Sequence, residues 1–411
     1  MSQLVDSLAS GHEGTVKDQF RSYLRRLKGG EMGSVPAIFA ILVLTVMFQL
    51  ASPFFITKLN FANLFVQSAE LTMLAAALVF VILLAEIDLA AGVTAGVAMA
   101  VYIQLVKVQG WGLIPAMVAA FAVGLVIGFI IGFMVAKIGV PSFVVTLAFF
   151  LGFQGMQLVL LGEGGVYRVE DTKVLAIMNQ NLPKWGGWAM LAISLAVSYA
   201  IALWDRRRRS ALDLVNKPIS IVYMKLAGLG LIGAISVYFL NQNRSQGSIP
   251  ILGVPIVVPI TIAILFIGTF VLDRTRFGRH LYAVGGNPEA ARRAGINVVK
   301  IRIAAFVICA FFAVISGVFH ASRIGSVDGS AGRTIVLSGV AAAVVGGVSL
   351  FGGRGRLAHA AIGAVVISMI DNGLGLLQMA SGINYLVQGG VLLLAATIDA
   401  LARRRGGVIT R

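Results

Sequence analysis

Apolar runs of about 17 to 25 residues recur along this chain, and they restrict its fold more than any other feature, because that length crosses a bilayer as a helix. The 411 residues are 58% hydrophobic and only 12% charged, with a mean hydropathy of +0.92. One soluble core cannot bury so much apolar surface. We therefore predict an all-α, polytopic integral membrane protein.

Twelve of these runs are candidate membrane helices, and two of the twelve are short. The short runs, 89–106 and 334–350, border glycine-rich polar turns. Broken or re-entrant helices are tolerated at membrane depth where protein or a water-filled cavity covers their backbone. We therefore expect about 10 to 12 transmembrane helices, some of them short or broken. The twelve runs are 35–55, 64–84, 89–106, 113–136, 143–161, 188–204, 219–240, 254–272, 303–322, 334–350, 357–377 and 383–401.

The distribution of charge predicts how these helices cross the membrane. Most of the 33 Lys and Arg residues lie in the terminal segments and in alternate loops. Cytoplasmic loops are enriched in Lys and Arg, so both termini are predicted to be cytoplasmic. This orientation accounts for the net charge of +16 without a nucleic-acid partner, because the charges do not gather on one soluble face. The predicted regions are a basic N-terminal segment 1–34, a transmembrane domain 35–402 with a cytoplasmic loop 277–297, and a basic cytoplasmic tail 403–411.

The loop 277–297 contains a short polar helix with capping signals at both ends. Asn287 can accept hydrogen bonds from the first free amides, Pro288 suits the first helical turn, and Gly295 permits the left-handed backbone that ends a helix. An acidic residue lies in the first turn and two arginines lie in the last, as the helix dipole favours. So short a helix is marginal in water and needs a docking surface. Its residues are Asn287, Pro288, Glu289, Ala290, Ala291, Arg292, Arg293 and Gly295.

Several kinds of chemistry lack candidate residues in the sequence. No glycine is followed by lysine, so the chain has no phosphate-binding loop of the G-x-x-x-x-G-K-[ST] kind. The four histidines are scattered, with no H-E-x-x-H motif and no second histidine at metal-ligand spacing. We therefore expect no catalytic residue, no metal and no cofactor on this chain.

A few polar side chains interrupt the apolar runs. A carboxylate at the centre of a membrane helix costs about 2.5 to 3.5 kcal/mol, so it needs a partner, water or a function. Glu70 either lines a hydrophilic path for a hydroxyl-rich solute or pairs with an interfacial lysine such as Lys58. Asp371 and Asn372 either face the same path or brace the packing of helices. The candidate path residues are Asn63, Gln67, Glu70, Thr146, Asp371, Asn372, Asn384 and Gln388.

Three turns that contain glycine or proline lie at predicted helix ends. Their sequences are IDLAAG at 87–92, GVPSFVVTL at 139–147 and GGVSLFGGRG at 346–355. Glycine permits unusual backbone angles and close approach, and proline before a polar residue favours a turn that leads into a helix. The principal turn residues are Asp88, Gly92, Pro141, Gly346, Gly347, Gly352 and Gly353.

In this order and spacing, the turns and the polar helix resemble those of the membrane permease subunits of bacterial ABC importers for monosaccharides. Members carry I-D-L-S-V-G, P-S-F-I-V-T-L-like, G-R-x-x-Y-A-x-G-G-N-x-x-A-A-x-x-x-G-I-N and G-G-x-S-L-x-G-G-[RK]-G motifs. This chain has Ala90 and Ala91 in place of the serine and valine of the first motif, and it matches the last without departure. The resemblance covers roughly residues 35–402. Two additional apolar runs within 188–240 make the layout similar to that of xylose-type permeases.

The resemblance implies a transport subunit of the bacterial inner membrane rather than an enzyme. It implies that the segment from Asn287 to Gly295 docks on a separate cytoplasmic ATPase, which holds ATP and Mg. The other implied partners are an extracytoplasmic sugar-binding protein, a second copy of the chain and the lipid bilayer. The expected solute is a monosaccharide, with a xylose-like pentose favoured, moved by alternating access. The alternatives are a proton- or ion-coupled secondary transporter, and an ABC permease of the same fold for a nucleoside or other small solute.

Overall fold

The structure is a computed structural model that describes residues 33–212, 216, 218–245 and 247–405. The predicted N-terminal segment 1–34 and tail 403–411 lie outside the described residues, apart from 33–34 and 403–405. The described chain separates into a main unit, 33–180 with 255–401, and a small unit built on 181–254. The additional apolar runs within 188–240 thus fall in the small unit.

Helices make up nearly all of the regular structure. A pair of three-residue strands joins antiparallel, with Tyr167 opposite Val327. In chain order the elements are α1 Val35–Ala51, α2 Lys58–Ile82, α3 Ala91–Lys107, α4 Leu113–Phe133, a π-helix Met134–Ile138, α5 Ser142–Leu161, β1 Val166–Arg168, α6 Thr172–Asn179, α7 Lys184–Ser210, α8 Ile219–Leu240, α9 Val257–Arg274, α10 Arg276–Gly286, α11 Pro288–Arg293, α12 Val298–Ile324, β2 Ser326–Asp328, α13 Ile335–Val345, α14 Leu357–Leu376 and α15 Ser381–Arg405.

Every predicted membrane run corresponds to a helix. Within the described residues, nine helices are long and apolar enough to cross a membrane, and three more are shorter apolar helices. The nine are α2, α4 with the π-helix, α5, α7, α8, α9, α12, α14 and α15, and the shorter three are α1, α3 and α13. The prediction of an all-α, polytopic membrane protein is confirmed.

The two runs predicted to be short or broken are short helices. α13 has 11 residues, which rise about 16 Å, or about half of the hydrocarbon thickness. It ends at the glycine-rich turn that begins with Gly346. α3 has 17 residues, which rise about 26 Å. α13 therefore occupies only part of the membrane depth.

α2 lies at the centre of the main unit, where α12, α13 and α14 pack against it. Every residue from Met73 to Val81 is fully buried.

Around this core, α4 lies close to α12 because its contact face carries Gly124, Gly128 and Gly132. A Cβ added to any of the three would come within 2.4 to 2.9 Å of an α12 atom. Small residues allow membrane helices to approach closely, so this glycine spacing explains the packing of α4 on α12.

The small unit contains the α7–α8 pair and a buried arginine. Arg244, which is 6% exposed, follows α8. Its guanidinium donates to the carbonyls of Leu240 at 2.6 Å and Gly253 at 2.9 Å, and to the Oδ1 of Asn181 at 2.9 Å. Burial lowers the pKa of Arg244 from its usual range. The side chain of Arg244 thus holds the two ends of the loop 241–253 together through three hydrogen bonds.

Replacing Arg244 by methionine removes this donor and keeps an unbranched side chain. We expect Arg244→Met to loosen the loop 241–253, because each acceptor left buried without a partner costs about 1 to 3 kcal/mol. Limited digestion of the detergent-solubilised protein with proteinase K would show faster cleavage in this loop. Arg207→Met, at the exposed end of α7, is the matched control. Equal cleavage rates in both variants and the wild type would contradict the role of Arg244.

Candidate functional site

A polar cavity lies among α2, α12, α13 and α14 of the main unit. Its volume is about 500 Å³. Its walls include the first half of α2, the last turn of α12 and the last turns of α14, so it lies at the end of the bundle where α2 begins. This end is named the cavity end. The lining residues are Asn60, Asn63, Gln67, Glu70, Leu71, Arg323, Ile335, Ser338, Ser368, Asp371, Asn372, Gly375 and Leu376.

Glu70 forms a buried ion-pair cluster in one wall of the polar cavity. Its carboxylate is 2% exposed and lies 2.8 Å from Arg323 Nε and 2.8 Å from His320 Nδ1. His320 and Arg323 are three residues apart, so they share one face of α12. The ionic partner of Glu70 is therefore a cation of α12 rather than an interfacial lysine such as Lys58. The negative charge of Glu70 is compensated inside the bundle.

Amide side chains connect the other walls of the polar cavity. Asn60 and Asn372 exchange two hydrogen bonds, each of 2.8 Å, and so join α2 to α14. Gln388 of α15 donates to Asp371 and accepts from the Ser338 hydroxyl at 2.8 Å. Asp371 has amide partners, and it forms no ion pair among the residues that the structure describes. Asn60, Ser338, Asp371 and Asn372 line the cavity, and together with Gln388 they brace the helices.

Five of the eight predicted path residues line the polar cavity. Gln388 contacts Asp371 and donates to Asn384 at 3.3 Å, so both amides lie next to the cavity wall. Thr146 lies elsewhere, because its hydroxyl donates to the carbonyl of Ile87 at 3.3 Å, beside the turn 87–92. The five lining residues are Asn63, Gln67, Glu70, Asp371 and Asn372.

The predicted path residues omit five polar residues of this site. Asn60, Arg323, Ser338 and Ser368 line the polar cavity, and His320 contacts Glu70. Serine is common in apolar helices because its hydroxyl can bond to its own backbone, so the two serines carry no signal. His320 and Arg323 do carry a signal. They are basic, three residues apart and near the end of an apolar run, so they can face a buried carboxylate together.

Three segments of the chain meet at the opposite end of the bundle, where α2 ends. The amide of Gly353 donates to the carbonyl of Leu83 at 2.8 Å, and a Cβ on Gly285 would lie 1.8 Å from the same carbonyl oxygen. The hydroxyl of Tyr282 donates to the carbonyl of Gly355 at 2.7 Å, and burial raises the pKa of Tyr282 to about 12. These five residues are named the turn cluster. They hold α10 and the turn 346–355 against the end of α2.

The remaining motif residues shape the backbone of the three turns at 87–92, 139–147 and 346–355. Asp88 is 3% exposed and accepts from the amide of Ala90 at 2.9 Å, and burial raises its pKa to about 6. Pro141 precedes α5, whose first residue, Ser142, accepts from the amide of Ile87 at 3.3 Å. Close backbone approach or positive φ requires glycine at Gly92, Gly346, Gly347, Gly352 and Gly353.

The polar helix forms at α11, directly after α10. Asn287 caps it by accepting from the amide of Ala290 at 2.9 Å, and Gly295 has the left-handed φ of +81°. Ala291 is 4% exposed and packs inward, whereas Glu289 and Arg292 form an exposed ion pair of 2.9 Å. α11 therefore has one buried side and one charged, exposed side.

Most of the chain is similar to known proteins. A family model described as branched-chain amino acid transport system, permease component, matches residues 60–396. The chain is 34% identical to the xylose transport system permease protein XylH of Escherichia coli K12 over 85% of this chain and 87% of the relative. It is 33% identical to the XylH of Haemophilus influenzae over 92% and 99%, and 30% identical to the ribose import permease protein RbsC of Escherichia coli K12 over 88% and 92%. No solved structure matches the chain.

The matched region contains every lining residue of the polar cavity and all of the turn cluster. It also contains most of the helices that are long and apolar enough to cross a membrane. The chain therefore belongs to the family of sugar ABC-importer permease components that includes the xylose and ribose permeases, and it is a multi-pass protein of the inner membrane.

Proposed function

We propose that this chain moves a monosaccharide by ATP-driven alternating access, with a xylose-like pentose favoured. The observation that carries the proposal is that the polar cavity and the turn cluster lie at opposite ends of one helix, α2. From Glu70 to Leu83 the helical rise is about 20 Å. α2 is buried along most of this length, so it can move as a rigid element. A displacement of the turn cluster would then move one wall of the polar cavity.

The polar cavity suits a neutral, hydroxyl-rich solute. Its amides, hydroxyls and carboxylates offer both donors and acceptors to sugar hydroxyls. The carboxylate of Glu70 is already paired with Arg323, at 2.8 Å. The volume of about 500 Å³ lies within the range of about 300 to 1,000 Å³ that is typical of small-ligand sites. A sugar held by several weak hydrogen bonds can bind in this cavity and still be released.

α11 supplies the contact surface for a separate ATPase in this proposal. The charge distribution predicts a cytoplasmic N-terminus, and that orientation puts the turn cluster and α11 on the cytoplasmic side. Glu289, Arg292 and Arg293 are exposed there. A ligand shifts a conformational equilibrium only through its different affinity for the two states, so the driving force is the preference of ATP for the closed ATPase pair. ATP and Mg belong to that partner subunit.

The proposed assembly contains two copies of this chain, two ATPase domains and an extracytoplasmic sugar-binding protein. The relatives are xylose and ribose permeases, which supports a monosaccharide as the solute. The higher identity to the xylose permease, 34% against 30% for the ribose permease, supports a xylose-like pentose. The additional helix pair of the small unit supports the same choice.

Reconstitution tests this function directly. Proteoliposomes that contain the chain and its ATPase, supplied with the sugar-binding protein, are expected to accumulate labelled xylose with ATP but not with ADP. Xylose is expected to stimulate ATP hydrolysis more than ribose or a nucleoside does. Uphill uptake by the chain alone under a proton gradient would instead establish a secondary transporter. Stimulation by a nucleoside only would establish a different solute.

Charge reversal on α11 tests the docking surface. We expect Arg292→Glu combined with Arg293→Glu to reduce ATP-dependent uptake at least about tenfold, as loss of a partner contact worth about 1.4 kcal/mol or more would do. The fold is expected to persist, because an exposed ion pair such as Arg292–Glu289 contributes only about 0 to 1 kcal/mol. The measurements are copurification with the ATPase and uptake. Arg168→Glu, on exposed β1, is the control, and normal copurification with normal uptake in the α11 variant would contradict the docking role.

A further inference from the structure

A second groove of the main unit takes no part in the proposed transport path. It lies between α4, α6 and α12, and its volume is about 650 Å³. We propose that this groove, named the lipid groove, binds an acyl chain of one membrane phospholipid whose phosphate is held by Lys173. Its lining is apolar apart from that lysine and consists of Leu113, Ile114, Met117, Val118, Phe121, Ala122, Leu125, Lys173, Val174, Ile177, Ile315 and Val318.

The packing of α4 on α12 creates the lipid groove. Ala116 and Ala120 are fully buried along this contact, and small residues let the two helices approach closely. The larger side chains Met117 and Phe121 lie beside the contact and form a wall. The ring of Phe121 is supported by that of Phe311, with centroids 5.2 Å apart. The groove is therefore formed by the packing of α4 on α12 and has a wall of well-packed side chains.

The open side of the lipid groove belongs to a membrane-spanning helix. Ile114 is 75% exposed and Val118 is 63% exposed, although both are apolar and lie on α4. Exposed apolar side chains on a transmembrane helix contact lipid chains. The lining from Leu113 to Leu125 extends about 18 Å along α4. The hydrocarbon core of a bilayer is about 30 Å thick, so one leaflet spans about 15 Å, slightly less than the groove. An acyl chain of one leaflet therefore matches the groove in length and polarity.

Lys173 lies where a phospholipid phosphate is expected. α6 is held at the cavity end of the bundle, because the amide of Met178 donates to Ser322 Oγ near the end of α12 at 3.1 Å. Trp111, 43% exposed, lies just before α4 at the same end, and tryptophan is enriched at the level of the head groups.

The charges around Lys173 leave its ammonium available. Lys107 pairs with Glu170, and the carboxylate of Asp171 caps α6 by accepting from the amides of Lys173 and Val174. Within the described ranges Lys173 forms no ion pair. An exposed ion pair between an ammonium and an anion contributes up to about 1 kcal/mol. An ammonium at the mouth of an apolar groove thus matches a phosphate above an acyl chain.

Native mass spectrometry of the full chain in detergent, titrated with palmitoyl-oleoyl phosphatidylglycerol, tests the proposal. The wild type is expected to retain one lipid more tightly than the rest. Lys173→Ala is expected to weaken retention up to about fivefold, as the loss of an ion pair worth about 1 kcal/mol implies. Ala122→Trp, which fills the groove and keeps the lysine, is expected to abolish it. Lys58→Ala, an exposed lysine at the start of α2 at the same end, is the matched control and is expected to bind normally.

Two further measurements separate this site from its rivals. Dioleoylglycerol, which has no phosphate, is expected to bind equally weakly to the wild type and to Lys173→Ala. Equal phosphatidylglycerol retention in the wild type, Lys173→Ala and Ala122→Trp would overturn the proposal in favour of unspecific annular lipid. Oxidative cross-linking of Val118→Cys is expected to give no dimer. A disulfide-linked dimer through position 118 would overturn it in favour of a second copy of this chain.

Discussion

Gly285→Ala is expected to reduce ATP-driven sugar uptake at least about fivefold, because overpacking of this kind costs about 1 to 3 kcal/mol and about 1 kcal/mol corresponds to about a factor of five. The added Cβ would lie 1.8 Å from the carbonyl oxygen of Leu83 and 3.0 Å from the amide nitrogen of Gly353. Both are backbone atoms that no rotamer change can move aside. The methyl group would therefore separate α10 from the end of α2. Uptake and copurification with the ATPase are the measurements.

The next residue offers a matched control for this substitution. A Cβ on Gly286 would meet no atom within 4 Å, and the chemical change in Gly286→Ala is identical. We expect Gly286→Ala to keep uptake near the wild-type level. Thermal unfolding separates a local effect from a global one, since the bundle of the Gly285→Ala variant is expected to stay folded. Equal uptake by the two variants would show that the contact at Leu83 does not serve coupling.

Glu70→Gln is expected to destabilise the membrane bundle by about 3 kcal/mol, because breaking a buried ion pair leaves the other charge without its partner. Arg323 would lose the carboxylate at 2.8 Å, and His320 would lose its charged neighbour. The Arg323 side chain is 33% exposed, so water offsets part of the loss and the estimate stays at the lower end of the usual range. Tryptophan fluorescence during thermal unfolding in detergent would report a lower midpoint.

Two companion variants define the reason for that loss. Glu289→Gln removes a carboxylate from the exposed pair with Arg292, and it is expected to change stability by no more than about 1 kcal/mol. Glu70→Met combined with Arg323→Met removes both charges of the pair and is expected to recover part of the stability. If the double variant were less stable than Glu70→Gln, the unpaired arginine would not be the cause.

Local sequence rules predicted the elements of this protein well. The helix cap at Asn287 and the left-handed residue Gly295 follow from chemistry within one or two helical turns, and α11 has both features. The short α13 follows from glycine-rich flanks and limited length. Five of the eight predicted path residues line one cavity, because a polar group in an apolar run is excluded from lipid and turns toward protein or water.

Partners far apart in the sequence were not predictable in this way. Glu70 and Arg323 are separated by 253 positions, and Asn60 and Asn372 by 312. Polarity shows that each group needs a partner but does not say which one. Thr146 illustrates the limit, since it is polar and lies in an apolar helix, yet its hydroxyl bonds to the carbonyl of Ile87 rather than lining the polar cavity.

The sequence by itself determined that the chain is embedded in the membrane, where its helices lie, and which short helix stands outside the apolar runs. These properties depend on the thickness of the hydrocarbon layer and on bonds within a few residues. Only the tertiary structure decided that Glu70 faces a cation of α12, that α10 and the turn 346–355 meet at Leu83, and that the lipid groove forms. The reason is that these contacts depend on which helix surfaces pack side by side, and that choice involves the whole bundle at once.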